Sequence, residues 1–344
     1  MKSLSFFSPT IWALVFLVGW RYEAPAASID ELVAASRKEG VLNLHSPSAL
    51  TPEGARELGA AFNKKYGLNI KVNYFASKGF ANDVATIITQ TATGAAPDWD
   101  VMVLTEDLHT VLSLRRLHLP FDYKGLGIDP KAIDHDSGSV AFTHVIILPS
   151  YNTKIVAAKD MPRSWEDFLD PKWKDGKLGI FDARYFALLA AGSWGEKKTT
   201  EYVRGLARQR PFLGRLAEVY TRLELGEVLV APIFPDMFIQ RAKRTGAPIV
   251  FADKVEPALI LAQNIAVLKG AAHPHVGHLF ANFTVSTEAQ AILEKYLGSS
   301  ILIPGTAANN FVKNRGESLL LRARDPNYLE KWSDEYNRIL GFKR

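Results

Sequence analysis

The 344-residue sequence contains no cysteine. That excludes a disulfide framework, a zinc–thiolate site and a thiol nucleophile, and makes the chain indifferent to the redox state of its compartment. After the N-terminus there is no apolar run of transmembrane length. There is no Pro/Ser/Gly linker between independent domains, no low-complexity tract and no internal repeat. Charge of one sign is scarce in excess. The formal net charge of +5 falls to +4 once Lys2, Arg21 and Glu23 are removed with residues 1–27. No basic tract with interleaved aromatics is present, so nucleic acid is not an expected partner. Phosphate-binding Gly-x-x-x-x-Gly-Lys-Ser/Thr and Gly-x-Gly-x-x-Gly loops are missing, and Gly192-Ser193-Trp194-Gly195 does not form the nucleophile elbow Gly-x-Ser-x-Gly.

The N-terminus has the three parts of a secretory signal. Lys2 supplies the basic start, Ile11 to Trp20 the short apolar segment, and Ala24-Pro25-Ala26 the small-x-small cleavage pattern. Cleavage after Ala26 or Ala27 is expected, giving a soluble, exported chain; the alternative is an uncleaved membrane anchor. Hydrophobic residues make up 47% of the sequence, enough for a sizeable core, and the length suggests two domains.

Periodicity predicts alternating helices and strands. Helices are expected over 28–38, 51–62 and 83–91, with strands over 41–44, 70–75 and 99–104 between and after them. A second series begins near Leu178, with a strand over 178–181, helices over 184–191, 197–209 and 216–223, a strand over 228–230, a helix over 235–244 and a strand over 248–251. A strand over 258–267 and helices over 274–284, 318–322 and 327–340 complete the reading. The class is α/β, with parallel sheets flanked by helices.

One stretch is more specific than the rest. Tyr151-Asn152-Thr153, Met161-Pro162, Ser164-Trp165-Glu166-Asp167, Asp170-Pro171-Lys172-Trp173 and the strand-like Lys177 to Ile180 occur in this order. Ser164 is a natural N-cap, Asp167 can complete a capping box, and Asp170-Pro171 stops the helix. The ordered string resembles the middle of the periplasmic solute-binding proteins of ABC importers, in the ferric-binding-protein-like branch. His273-Pro274 through Phe280, Phe283, Ser286 and Gln290 matches the same family.

The resemblance implies the type 2 periplasmic binding fold: two lobes, each a mostly parallel sheet flanked by helices, joined by two crossover strands near Val140–Ser150 and Pro257–Val267. The first lobe would hold residues 28–140 and 262–310, and the second 150–256. Residues 311–344 would be C-terminal helices bracing the second lobe. The implied role is capture of a small solute in the interlobe cleft and delivery to a membrane-embedded ABC permease, as a periplasmic monomer without cofactor or catalysis.

Ferric members of the branch use a first-loop histidine, a glutamate after the third strand and a tyrosine pair after Gly-Glu-Val. Here the first loop reads Ser46-Pro47-Ser48, Glu106 matches the glutamate, and Asp236-Met237 stands where the tyrosines belong. Methionine is a soft thioether and a poor substitute for phenolate at a hard ferric ion. An organic solute is therefore favoured, with ferric iron as the alternative and a secreted enzyme on a related fold as the second. The expected ligand-binding residues are Ser46, Ser48, Thr105, Glu106, Tyr151, Arg184, Phe234 and Asp236. Strand-end hydroxyls and helix N-termini would hold polar groups, Arg184 an anion, Glu106 and Asp236 an amine or hydroxyls, and the two aromatics would form walls. His273-x-His275-x-x-His278 is not expected to bind metal, because it begins a helix at Pro274 and has no supporting acid.

Overall fold

The computed structural model describes residues 28–321 and 326–342; the signal-like residues 1–27 lie outside the described residues. The chain opens with α1 (Ile29–Glu39). Ser28 caps it in a complete capping box with Glu31, and Gly40 ends it in the left-handed conformation that glycine adopts most readily. β1 (Val41–Ser46), α2 (Thr51–Tyr66), β2 (Lys71–Ala76), α3 (Phe80–Ala92), β3 (Val101–Thr105) and α4 (Glu106–Leu114) follow. After the short β4 (Ile133–Asp134) comes the 14-residue β5 (Ser139–Asn152).

Next are β6 (Gly179–Ile180), α5 (Arg184–Ala191), α6 (Gly195–Arg208), β7 (Phe212–Leu213), α7 (Leu216–Leu225), β8 (Val230–Pro235), α8 (Asp236–Thr245) and β9 (Ile249–Phe251). β10 (Ala258–Val267), α9 (Pro274–Thr284), α10 (Thr287–Tyr296), α11 (Ala307–Lys313), β11 (Ser318–Leu321) and α12 (Pro326–Leu340) complete the order.

The main sheet runs β2-β1-β3-β10-β5-β4, with β11 beside β10 and with β8 and β9 beside β5. Pairing is parallel among β1, β2 and β3 and between β10 and β11, but antiparallel along β3-β10-β5 and from β5 to β8 and β9. The sheet is therefore mixed. β5 and β10 are long because each serves two neighbourhoods. The start of β5 pairs β4 and its end pairs β8 and β9; Ala258–Leu261 of β10 pairs β11 and Gln263–Val267 pairs β3.

The apolar interior follows this division. One cluster joins β1, β3 and the ends of β5 and β10 to α2, α9 and α10 through Leu44, Phe62, Val103, Ile265, Phe280 and Phe283. A second joins Val145, Ile147, Leu259 and Leu261 to α5, α6 and α12 through Trp165, Phe168, Phe186, Tyr202 and Tyr336. Burying each such large side chain contributes about 1.5–3 kcal/mol. Trp165 is fully buried, and its indole N–H donates to the Pro257 carbonyl at 3.2 Å, just before β10.

Two expectations change. Residues 318–321 form a strand instead of a helix, because Leu319 and Leu320 extend the apolar sheet alongside Leu259 and Ile260; Arg322 lies outside the described residues. The C-terminal segment thus supplies a strand between α11 and α12. The helix expected around Ser164 is only a 3₁₀ turn over Glu166–Leu169, although Ser164 and Asp167 exchange the predicted capping bonds. α12 packs on α5 and α6, with Leu329, Tyr336 and Leu340 in the second cluster.

Candidate functional site

Side chains alternate across a strand, and this places the polar residues. On β1, Leu42 and Leu44 join the first cluster and Ser46 follows on the same face. On β3, Val101 and Val103 do so and Thr105 follows. Thr105 lies opposite Gln263 of β10, and Gln263 lies opposite Thr143 of β5, whose hydroxyl donates to the Gln263 side-chain amide oxygen Oε1 at 2.9 Å. A polar rung, Thr105–Gln263–Thr143, thus crosses the sheet where the first apolar cluster ends and Leu261 and Val145 begin the second. Sequence reasoning missed Thr143 and Gln263. Their signal was a pair of adjacent polar residues, Thr143-His144 and Gln263-Asn264, in each of two largely apolar crossover runs.

Buried polar groups are normally satisfied. Here Ser46 Oγ, Thr105 Oγ1 and Asp236 Oδ1 are buried without a partner. Each belongs to the expected set: Ser46 and Thr105 are the last residues of β1 and β3, and Asp236 is the first after β8. Ser48 is exposed at the first 3₁₀ turn. Glu106 is 6% exposed in the first turn of α4.

Arg184 begins α5, half exposed, and its Nη2 lies 3.4 Å from Asp107 Oδ2 in α4. This pair links the two sides of the rung. The neighbouring Tyr185, also missed, shares its surroundings. Burial first, then Asp182, raises its hydroxyl to about 12; Asp107 and Asp236 add to this and Arg184 opposes it.

Asp236 opens α8 and is 6% exposed. Burial pushes its carboxyl well above the ordinary carboxylate range, against the stabilising amides of Ile146, Met237 and Asp236 itself. Its other neighbour is Gly298, at φ +96°, where an added Cβ would come within 2.5 Å of Asp236 Oδ2. Only glycine allows the 298–300 segment this close. Met237 packs on the second apolar cluster.

The two expected aromatic walls are core residues. Phe234 is fully buried, its ring 6.4 Å from Tyr220 and 5.8 Å from Phe238, and Tyr151 is packed into the second cluster. Strand residues just before a helix point alternately inward, and Phe234 falls on the inward side.

His45 is buried beside the site. Its Nε2 meets Asp83 Oδ2 at 2.9 Å, its ring packs 4.5 Å from Trp99, and its Nδ1 has no partner. Burial lowers its pKa despite Asp83. His273 just before α9 and His275 and His278 within it turn to separate partners: His273 to Asp100, His275 to Glu39 and His278 to the Tyr123 hydroxyl. Among the described residues, no group of three or more His, Cys, Asp or Glu side chains is arranged to hold a metal ion.

The sides of the rung are drawn together. Arg244 of α8 donates to the Lys295 carbonyl of α10, and its guanidinium lies 5.1 Å from the Tyr296 ring centroid. A cavity of about 10 Å³ beside the crossover strands, lined by Glu106, His144, Ala262, Asn264 and Leu320 among others, has room for one water at most.

With the polar rung between two apolar clusters and the long strands shared by both, comparison with known proteins is decisive. A family profile described as bacterial extracellular solute-binding protein matches residues 57–318. The chain belongs to that family. Its members bind solutes, so the role is binding and not catalysis. No curated protein sequence matches. Among solved structures, the substrate-binding protein of an ABC transporter from Agrobacterium tumefaciens superposes with a TM-score of 0.72 at 16% identity, covering 89% of this chain and 96% of the other. Iron-bound HitA from Pseudomonas aeruginosa gives 0.66 at 19% identity over 88% and 99%. MotA from A. tumefaciens B6, in complex with glucopine, gives 0.61 at 18% identity over 87% and 99%. These likenesses establish the two-lobed fold of type 2 periplasmic binding proteins. No helix among the described residues is long and apolar enough to cross a membrane.

Proposed function

We propose that this solute-binding protein captures a small organic solute between its lobes in the periplasm and delivers it to an ABC permease. The first lobe is residues 28–140 and 262–310, the second is 150–256, and α12 braces the second. The observation that carries the reading is the trio of buried, unpartnered polar atoms, Ser46 Oγ, Thr105 Oγ1 and Asp236 Oδ1, beside the Thr105–Gln263–Thr143 rung. Buried polar groups without partners cost about 1–3 kcal/mol each. A solute that supplies those partners on closure stabilises the closed form by differential contact. Arg184–Asp107 and Arg244–Lys295 are then closing contacts, and β5 and β10 carry the hinge.

Related folds bind both iron and organic solutes according to their names, so the donor set here must choose. Asp236 and Met237 offer one carboxylate and a partly buried thioether packed against the second cluster, a poor donor set for Fe³⁺. Thermal-shift screening against organic solutes, beside a ferric titration followed by visible absorbance, tests the reading. An organic hit that Thr105→Trp abolishes supports it. Tight stoichiometric iron binding that depends on Asp236 sinks it.

A further inference from the structure

We propose that the charged anchor of the cleft is the Asp236 carboxylate and that the solute it receives carries an organic ammonium group. This rests on the interlobe reading above and deepens it.

Asp236 is a buried acceptor with an orphaned oxygen. The residue is 6% exposed, Oδ1 has no partner, and Oδ2 is closed off by Gly298. In its ionised form, which only accepts, the partner this oxygen lacks is a hydrogen-bond donor. A buried carboxylate also needs a counter-charge, and the neighbouring cations are committed elsewhere. On α8 itself, Arg241 lies over the Tyr220 ring at 4.4 Å, and Arg244 is taken by the Lys295 carbonyl and the Tyr296 ring. On α10, Lys295 Nζ bonds Glu57 at 2.9 Å, while Glu294 contributes a like charge to Asp236. On α5, Arg184 is paired with Asp107. Tyr185 feels Asp182, Asp107 and Asp236 together, so carboxylates outnumber the one guanidinium around that hydroxyl.

Such a site repels an anion and attracts a cation. The cation must donate to a single unpartnered carboxylate oxygen, with Gly298 set against the other. A primary or secondary ammonium meets these conditions: one N–H reaches Asp236, and the rest of the solute meets the unpartnered hydroxyls of Ser46 and Thr105. Burial favours the protonated carboxyl before the solute arrives. Seating an ammonium restores the charged form, so binding should expel a proton.

The test is calorimetry on the whole protein with three amines, namely putrescine, aminobutanol and aminobutanoate, against amine-free butanediol and glutarate. Each titration is run in two buffers of different ionisation enthalpy. At least one amine is expected to bind, with release of up to about one proton, and the amine-free compounds are not. Asp236→Asn should weaken the amine by roughly tenfold or more and remove the buffer-dependent heat. The two-buffer comparison on the unaltered protein stands even if the variant does not fold. Glutarate or butanediol binding as tightly as the amines, no heat from any amine, or amine binding without proton release each overturns the assignment. If Thr105→Trp blocks an amine that Asp236→Asn leaves unaffected, the cleft reading survives and the ammonium anchor fails. If neither variant alters binding, the cleft reading itself is wrong.

Discussion

Replacing Asp236 by asparagine should stabilise the unliganded protein. The carboxyl is buried, its Oδ1 is unpartnered, and it is held well above its ordinary pKa of 3.8. As pH rises from acid, the unfolded chain loses this proton first. Between the two pKa values the folded protein binds more protons than the unfolded one, so stability falls with rising pH. Below 3.8 both states are protonated and the two side chains behave alike. Above it the aspartate destabilises the fold progressively and the asparagine does not. Asparagine keeps an oxygen for the amides of Ile146 and Met237 and removes a buried charge. The expected gain at neutral pH is about 1–2 kcal/mol, or ~2–4 °C in Tm, and it should vanish near the ordinary aspartate pKa. Scanning calorimetry of both proteins from acid to neutral pH measures it. A variant less stable than its parent at neutral pH, or a difference that does not change with pH, would refute the reasoning.

Three further outcomes follow from particular residues. Burial lowers His118 and His278 from 6.5 to about 3, and His109, bonded to His118 and to the Asn264 carbonyl, well below 6.5. A depressed folded pKa makes their contribution present above 6.5 and lost as pH falls. Each histidine should then cost about 1.4 kcal/mol per pH unit below that point, and urea unfolding of His118→Gln, where His109 and His135 are the facing rings, should show a slope shallower by about one proton. Gly298→Ala should lower stability by about 1–3 kcal/mol, because a Cβ at φ +96° both strains the backbone and strikes Asp236; denaturant melts measure it, and an unchanged midpoint would contradict the close approach. Arg184→Ala takes a half-exposed guanidinium from the buried Asp107 carboxylate, so it should cost about 1–2 kcal/mol while small-angle scattering reports a more open average shape.

Much of the frame was legible. Helix 184–191, strand 258–267 and helix 274–284 sit where apolar spacing, Gly and Pro placed them, since those segments have strong periods and clear stops. Leu319–Leu320 was misread because three leucines in a row carry no period of their own; only β10 beside them decides that they extend. Part of the candidate site was legible. Ser46 and Thr105 end strands and Asp236 follows one, positions that sequence locates well. Gln263 and Thr143 matter through a cross-strand register that no local pattern encodes. Phe234 was assigned to a wall because its position after a strand was visible but the face it points to was not. Tyr185 and Asp107 become neighbours only when α4 and α5 are brought together.

The central claim is that the lobes close on an organic solute held at Thr105 and Asp236. Native mass spectrometry of protein recovered gently from the producing cell tests it most directly. A single added organic mass is expected, at one per chain, lost in Thr105→Trp and diminished in Asp236→Asn. An added mass equal to iron, retained in Thr105→Trp, would contradict it.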